Sequence, residues 1–285
     1  MGNAGRFVEG PALSGGDCGF ICEKLMDRRY SEWVARALRK WLDRRDPSCC
    51  YHELSKMEPG YYGWSVMVSD YEEFYKRMSG RRKVRLPEPL AESGVDTLVA
   101  LRSRRSRRSY ARKSLGLREL ATLLYYTVGI TGRAWWGGPK RTYPSAGGLQ
   151  PVEAYVVSLN VDGLEQGVYH YNPGDHSLEE IYTGDVGEEL YRACLDQEHV
   201  LEAPANIVLT IVYSRTASKY GLRAYRYAVM DVAFAGENVY LVSEALGLAT
   251  VAVGAFYDEM LCNILGVDCE WEYPMLVFPV GRRQS

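Results

Sequence analysis

The chain is poor in the residues from which metal centres and disulfide frameworks are built. Its 285 residues include four histidines and seven cysteines. Cys18, Cys22, Cys49, Cys50, Cys194, Cys262 and Cys269 form neither a Cys-x-x-Cys pair nor a Cys/His zinc spacing. No metal is therefore expected, and in a reducing compartment no disulfide framework is either; Cys194 and Cys262, in predicted helices, read as small buried hydrophobes. Neither sign of charge prevails. With 34 Lys+Arg against 36 Asp+Glu, net −2, the balance argues against a general nucleic-acid surface, which needs a basic excess. No apolar run approaches the roughly 20 residues that span a bilayer, and the N-terminus has no signal-peptide core. Arg6 stands where a myristoylation signal after Gly2 wants Ser or Thr. A cytoplasmic protein with no membrane segment is expected. There is also no Gly-x-Gly-x-x-Gly fingerprint, internal repeat or low-complexity tract, which disfavours a Rossmann nucleotide domain.

What is present, 47% hydrophobic and 25% charged residues, suits a globular chain of one large or two small domains. Residues 1–16 are Gly-rich without periodicity and read as disordered. Residues 17–94 read as a helical lead-in and connecting arm. Leu25, Tyr30, Trp33, Val34, Ala37, Leu38, Trp41 and Leu42 recur at three-and-four spacing, an amphipathic helix over 20–45 ended by Asp46-Pro47; residues 79–94 are rich in Gly, Pro and charge. Within 95–285, helices are predicted near 95–101, 117–128, 186–197, 227–247 and 257–265. Strands are predicted near 152–160, 166–172, 178–182, 205–213, 249–255 and 274–280. The order is not a regular βαβ repeat. Two short strands across Asn172-Pro173-Gly174-Asp175 imply a hairpin, so the class is α+β with an at least partly antiparallel sheet.

Two segments carry chemistry. The first, Arg141-Thr142-Tyr143-Pro144-Ser145-Ala146-Gly147-Gly148-Leu149-Gln150-Pro151, precedes the strand from Val152. Its adjacent glycines let a backbone lie against a flat ligand, because no Cβ holds it away, although Pro-Ser-x-Gly also makes ordinary turns. The second, Arg102 to Tyr110, reads RSRRSRRSY. Arginine forks and serine hydroxyls suit a phosphate monoester, while a basic run is also the mark of a solvated face.

Together these segments resemble the flavin-binding signature of the nitroreductase family. Arg104, Arg105, Ser106, Arg108 and Tyr110 meet Arg-Arg-Ser-x-Arg-x-(Phe/Tyr); Pro144, Ser145, Ala146, Gly148, Gln150 and Pro151 follow Pro-Ser-Ser-x-Asn-x-Gln-Pro, with Ala146 and Gly148 departing. The departures resemble the SagB-type dehydrogenase branch, whose loop reads Pro-Ser-Ala-Gly-Ala-Leu-Tyr-Pro. Leu117 to Leu124 with Gly129 to Gly132, Gly167 to Pro173 with His176, and Gly254 to Glu259 are similar to that branch as well, as are Tyr51 to Lys56 and Leu86 to Pro89. The resemblance covers residues 49 to 283.

It implies a nitroreductase-like fold, a central mostly antiparallel sheet flanked by helices, and FMN bound at the interface of a homodimer. Arg104, Arg105, Ser106 and Arg108 would hold the phosphate, with Arg282 or Arg283 as further partners. Pro144 to Gly148 would contact the isoalloxazine, with Gly254 in another of the branch's motifs. The donor near the reduced ring would be a backbone N–H of the loop or Gln150, which serves equally well as a cap of the following strand. Lys219-Tyr220 corresponds to a pair held in the branch to serve azoline oxidation. A tyrosine is a poor base near its ordinary pKa of about 10, and an adjacent ammonium improves it; spacing alone would place the pair in a solvent-facing loop. Arg223 and Arg226, with Asp231, would either close on the flavin or pair with one another, a loop-to-helix ion pair being the plainer reading, and His170 and His176 read as strand residues. Ala233-Phe234 stand where the branch has Gly-His.

Three functions follow from the resemblance. The first is an FMN-dependent oxidoreductase converting thiazolines or oxazolines in a ribosomally made peptide to azoles, beside a cyclodehydratase partner. The second is a general NAD(P)H-dependent nitroreductase or quinone reductase, and the third a flavin-binding scaffold subunit that docks through residues 17–46.

Overall fold

The computed structural model describes residues 28–44, 47–56, 74–135 and 137–284. The reading of residues 1–16, the start of the lead-in helix, and Cys18 and Cys22 lie outside them. The chain divides into two units, residues 1–62 and 63–285.

In the first unit α1 (Arg28–Arg44) packs on α2 (Pro47–Leu54). Pro47, predicted to end one helix, also opens the next, where its missing N–H costs nothing. Ala37 is buried between them, and buried Glu53 accepts hydrogen bonds from Lys40 and Lys56 at 2.5 Å each. Leu38, Trp41 and Leu42 remain exposed on α1.

The second unit is built on a seven-stranded sheet in the order β1-β6-β5-β4-β7-β9-β8, every neighbouring pair antiparallel. The strands are β1 (Lys83–Arg85), β4 (Val152–Ser158), β5 (Gly167–Asn172), β6 (Ser177–Thr183), β7 (Ala205–Val212), β8 (Leu248–Thr250) and β9 (Glu272–Arg282), with a separate hairpin of β2 (Ile130–Arg133) and β3 (Pro139–Arg141). The α+β class and the antiparallel sheet agree with the sequence, and β1 lies within the segment read as a connecting arm.

The sheet is the middle layer. Ala154, Val156, Ile207 and Leu209 face α4 (Leu117–Val128) and α8 (Ala224–Ala245) through Leu120, Leu124, Val232 and Val239. Tyr155, Val157 and Val208 face α5 (Gly187–Ala193), α6 (Glu198–Glu202) and α9 (Asp258–Leu265) through Leu190, Val200 and Leu261. With both faces covered, β4 and β7 are buried along their whole length, so polar Glu153 and Thr210 must find partners inside.

The helix predicted over 186–197 is broken, because Leu195 and Asp196 adopt positive φ between α5 and α6. The segment after β7 is not a loop. It forms α7 (Tyr213–Tyr220) and a 3-10 turn that runs into α8. Cys262 is disulfide-bonded to Cys269, a correction to its reading as a plain buried hydrophobe; Cys194 is free and buried. A further helix, α3 (Thr97–Ser103), starts at an Asp96 cap and packs on α8, its C-terminal end lying beside Glu237 and Tyr240. Among the described residues no helix is long and apolar enough to cross a membrane.

Candidate functional site

The loop between β3 and β4 is fastened to α8. Ser145 Oγ donates to Asp231 Oδ2 at 2.6 Å, and the Ala146 amide lies 3.2 Å from both Asp231 oxygens. The Gln150 amide donates to Ser145 Oγ at 2.9 Å and closes the ring. Inside it, Ala146–Gly148 make a 3-10 turn with Gly147 at φ +62° and Gly148 at φ +69°, a region glycine enters without a Cβ penalty. Gln150 sits at φ +54° with a full side chain. It is held there by Arg215 Nη1 donating to its carbonyl at 2.9 Å and by its own Nε2 donating to the Pro139 carbonyl at 3.3 Å.

Lys219 and Tyr220 come to the same loop. They end α7, and a Cβ added to Gly147 would stand 2.6 Å from Tyr220 Oη and 3.0 Å from Lys219 Nζ. The ammonium lies 5.4 Å from the Tyr220 ring centre, and Tyr227 packs edge-on to that ring at 4.8 Å. One helical turn earlier, buried Arg215 forms an ion pair with Glu153 Oε1 at 2.6 Å. Glu153 Oε2 is 3.1 Å from His170 Nε2, and His170 Nδ1 is 3.0 Å from Glu179 Oε2. Burial works against charge in each of these groups, yet they compensate one another. His170, between two carboxylates, is raised above its ordinary pKa, and Glu153 is held well below the carboxylate range by Arg215 and His170. His170 is thus a strand residue, as read, with a definite charge role. Neither Arg215 nor Glu153 was found by sequence reasoning; a Glu in an otherwise apolar central strand was the available signal.

Asp231 is the second group that was misread. Its carboxylate turns to Ser145 and Ala146 instead of Arg223 or Arg226. Burial raises its pKa to about 6 against the hydrogen bonds from Ser145 and Ala146.

The basic segment gathers at the other end of α8. The Arg104 guanidinium lies 5.0 Å over the Tyr240 ring and 3.9 Å from Glu237, and Ser106 Oγ is 3.0 Å from Tyr240 Oη. Tyr240 Oη also accepts the Ala252 amide at 2.8 Å, which brings the segment leading to Gly254 alongside. Arg107, the unspecified position of the motif, and Arg283 meet on Glu244 at 2.8 and 2.6 Å. Arg105 turns back to the carbonyls of Arg102 and Arg104, and Arg282 pairs with Glu119 at 2.9 Å. Arg108 is exposed, its charge acting on Tyr110 and His199 rather than on this group. The structure therefore brings together Arg104, Ser106 and Arg283 with Arg107, and leaves Arg105, Arg108 and Arg282 apart.

The two gatherings flank one helix. Asp231 and Tyr240 are nine residues apart on α8, two and a half turns, which sets them roughly 13 Å apart along the axis and on opposite sides of it. Pro144 and Gly147 are exposed, so the loop's backbone can lie against a flat ligand edge with no Cβ at Gly147 to hold it away, and an anion fits the guanidinium group beside Ser106. Among the described residues no cluster of three or more His, Cys, Asp or Glu is placed to hold a metal.

Comparison with known proteins identifies the family. The nitroreductase family profile, described as "Nitroreductase family", matches residues 101–282. A Methanocaldococcus jannaschii protein named as a nitroreductase, MJ1384, is 40% identical over 206 residues, 72% of this chain and 99% of that protein. The microcin B17-processing protein McbC of Escherichia coli is 29% identical over 50% of this chain and 54% of its own length. Among solved structures, a nitroreductase-named protein of Anabaena variabilis superposes with a TM-score of 0.67 at 25% identity, covering 84% of this chain and 48% of that one. A chain of the E. coli microcin synthetase McbBCD complex, solved with truncated pro-MccB17 bound, gives 0.55 at 24% identity, over 70% of this chain and 79% of that one.

Proposed function

Because this chain belongs to the nitroreductase family of oxidoreductases, we propose that it is an FMN-dependent enzyme that oxidises thiazoline or oxazoline rings in a ribosomally made peptide to azoles. The observation that carries the reading is the seating of Lys219 Nζ and Tyr220 Oη against Gly147 of the glycine loop. Conversion of an azoline to an azole removes a hydride and a proton from the ring. A bound flavin would supply the acceptor for the hydride. Lys219 and Tyr220 handle the proton, Tyr220 as the base that takes it from the ring carbon. Arg104, Ser106, Arg107 and Arg283 would hold the phosphate, and Pro144 to Gly148 the ring edge. A peptide substrate is supported by the relative named as a microcin-processing protein, and a cyclodehydratase partner is what the resemblance to the SagB-type branch implies.

The two half-sites on opposite flanks of α8 support a homodimer in which one copy offers the basic group and its partner the glycine loop. Leu98 and Val99 on α3, with Met230 and Phe234 on α8, are exposed and would be covered by the second copy. The 40% identity to a protein named as a nitroreductase favours one alternative, reduction of nitroaromatics or quinones by NAD(P)H.

Lys219→Ala and Tyr220→Phe decide between them. Each should lower azoline oxidation by roughly two to four orders of magnitude, the range for a lost general base, while FMN binding and nicotinamide-driven reduction persist. Loss of both activities together would make the pair structural; a wild type that performs only the nicotinamide reaction would establish the alternative.

A further inference from the structure

Ser145 hydroxyl, Ala146 amide and Gln150 amide form a closed hydrogen-bonded ring that ends on one carboxylate, that of Asp231. Asp231 is 2% exposed and accepts from the Ser145 hydroxyl and the Ala146 amide. Beside the ring, a Cβ on Gly147 would stand 2.6 Å from Tyr220 Oη and 3.0 Å from Lys219 Nζ, so the loop and the end of α7 are close neighbours. The loop is therefore gripped between the carboxylate of α8 and the end of α7, and its position is set by the grip.

We propose that Asp231 is a positioning residue: through Ser145 Oγ and the Ala146 amide it holds the 144–150 loop at the spacing from Lys219 and Tyr220 that places a flat cofactor edge beside them. The assignment rests on the flavin-binding reading above. Asp231 takes its hydrogen bonds from Ser145 and Ala146. It acts by fixing backbone amides, and Ser145 relays the hold to Gln150. Asparagine, of the same shape, keeps one acceptor oxygen but replaces the other with a donor, which faces the Ser145 hydroxyl and the Ala146 N–H, both donors in this arrangement. Asp231→Asn should therefore open the ring without removing volume. Ser145→Ala should free Gln150 by a different route.

The test uses the full-length chain, first without FMN. Hydrogen exchange should accelerate about tenfold or more at the Ala146 amide in Asp231→Asn and at the Gln150 amide in Ser145→Ala, as expected for losing a hydrogen bond to a charged or relaying group. FMN titration by fluorescence should then show the dissociation constant rising about tenfold or more in each variant. The double variant should bind about as poorly as either single one, because the two groups act as one unit. A merely structural role would make the two effects additive and leave these amides unchanged relative to the rest of the chain. Unaltered exchange at both amides overturns the proposal, and so does faster exchange with FMN affinity within about twofold of wild type. If the wild type itself takes up no FMN, the flavin reading fails and this proposal with it. Wild-type binding with unaffected variants removes this proposal alone.

Discussion

Asp231→Asn should make the protein more stable at neutral pH. Raising a carboxyl from 3.8 to about 6 corresponds to about 3 kcal/mol at 1.36 kcal/mol per pH unit. The sign follows from proton binding. Between about pH 4 and 6 the folded protein keeps a proton on Asp231 that the unfolded chain has released, so wild-type stability falls as pH rises through that window. Above pH 6 the whole cost is present. Asparagine carries no such charge, so the variant should match the wild type near pH 4 and gain about 1–3 kcal/mol by pH 7.5, the spread reflecting hydrogen bonds it makes less well. For a body of this size that is roughly 3–9 °C in Tm. Urea unfolding of the flavin-free protein at pH 4.5, 6 and 7.5 measures it. A variant that is less stable at pH 7.5, or that shows the same pH slope as wild type, would refute the view that the fold bears a buried charge at this position.

Two further outcomes can be measured directly. Gly147→Ala should cost about 1–2 kcal/mol of stability for a side chain at φ +62°, and should lower azoline turnover about tenfold or more by displacing Lys219 and Tyr220; wild-type turnover would show that the contact does not matter. Phe234→Glu, on the exposed face of α8, should convert a dimer to a monomer in light scattering and lower FMN affinity with it, and a monomeric wild type that holds FMN would show that one chain suffices.

The fold was legible where periodicity and capping agree. Leu117 to Val128 shows one apolar face and a Glu119 that accepts the Gly116 amide, and it is a helix as predicted. The central strands were found from their β-branched runs. What was missed depends on long-range contact. Tyr213 to Tyr220 is short and mostly polar, its helical spacing resting on Tyr213, Ala217 and Tyr220 alone, and its inward anchor is Arg215 on Glu153, a residue 62 positions away that sequence spacing cannot pair with it. The β2–β3 hairpin and the three-residue β1 are too short to show a pattern. Of the candidate site, the two motifs were readable as motifs. Which arginines converge was not, because the motif's Arg108 and its unspecified Arg107 are adjacent in an extended segment, and neighbours there point in opposite directions.

Two costs meet at the loop between β3 and β4. Gly147, Gly148 and Gln150 all have positive φ, and Gln150 carries a side chain there at about 1–2 kcal/mol; Asp231, a few ångströms away, adds a buried carboxylate. A loop serving only to connect β3 to β4 could avoid each of these with ordinary turn residues and an apolar residue on α8. It is kept in this shape because the surroundings over-determine it. Arg215 holds the Gln150 carbonyl, Glu153 holds Arg215, and His170 and Glu179 complete a charge chain across three adjacent strands. A loop shape held by a rigid, charge-balanced sheet, at the cost of one side chain at positive φ, is what a fixed binding edge requires. The same chain holds the helix that ends in Lys219 and Tyr220. Cofactor edge and base are thus referred to a single rigid support, so a change in the sheet that loosens one should loosen the other, whereas the basic group around Tyr240 rests on separate contacts and should respond independently.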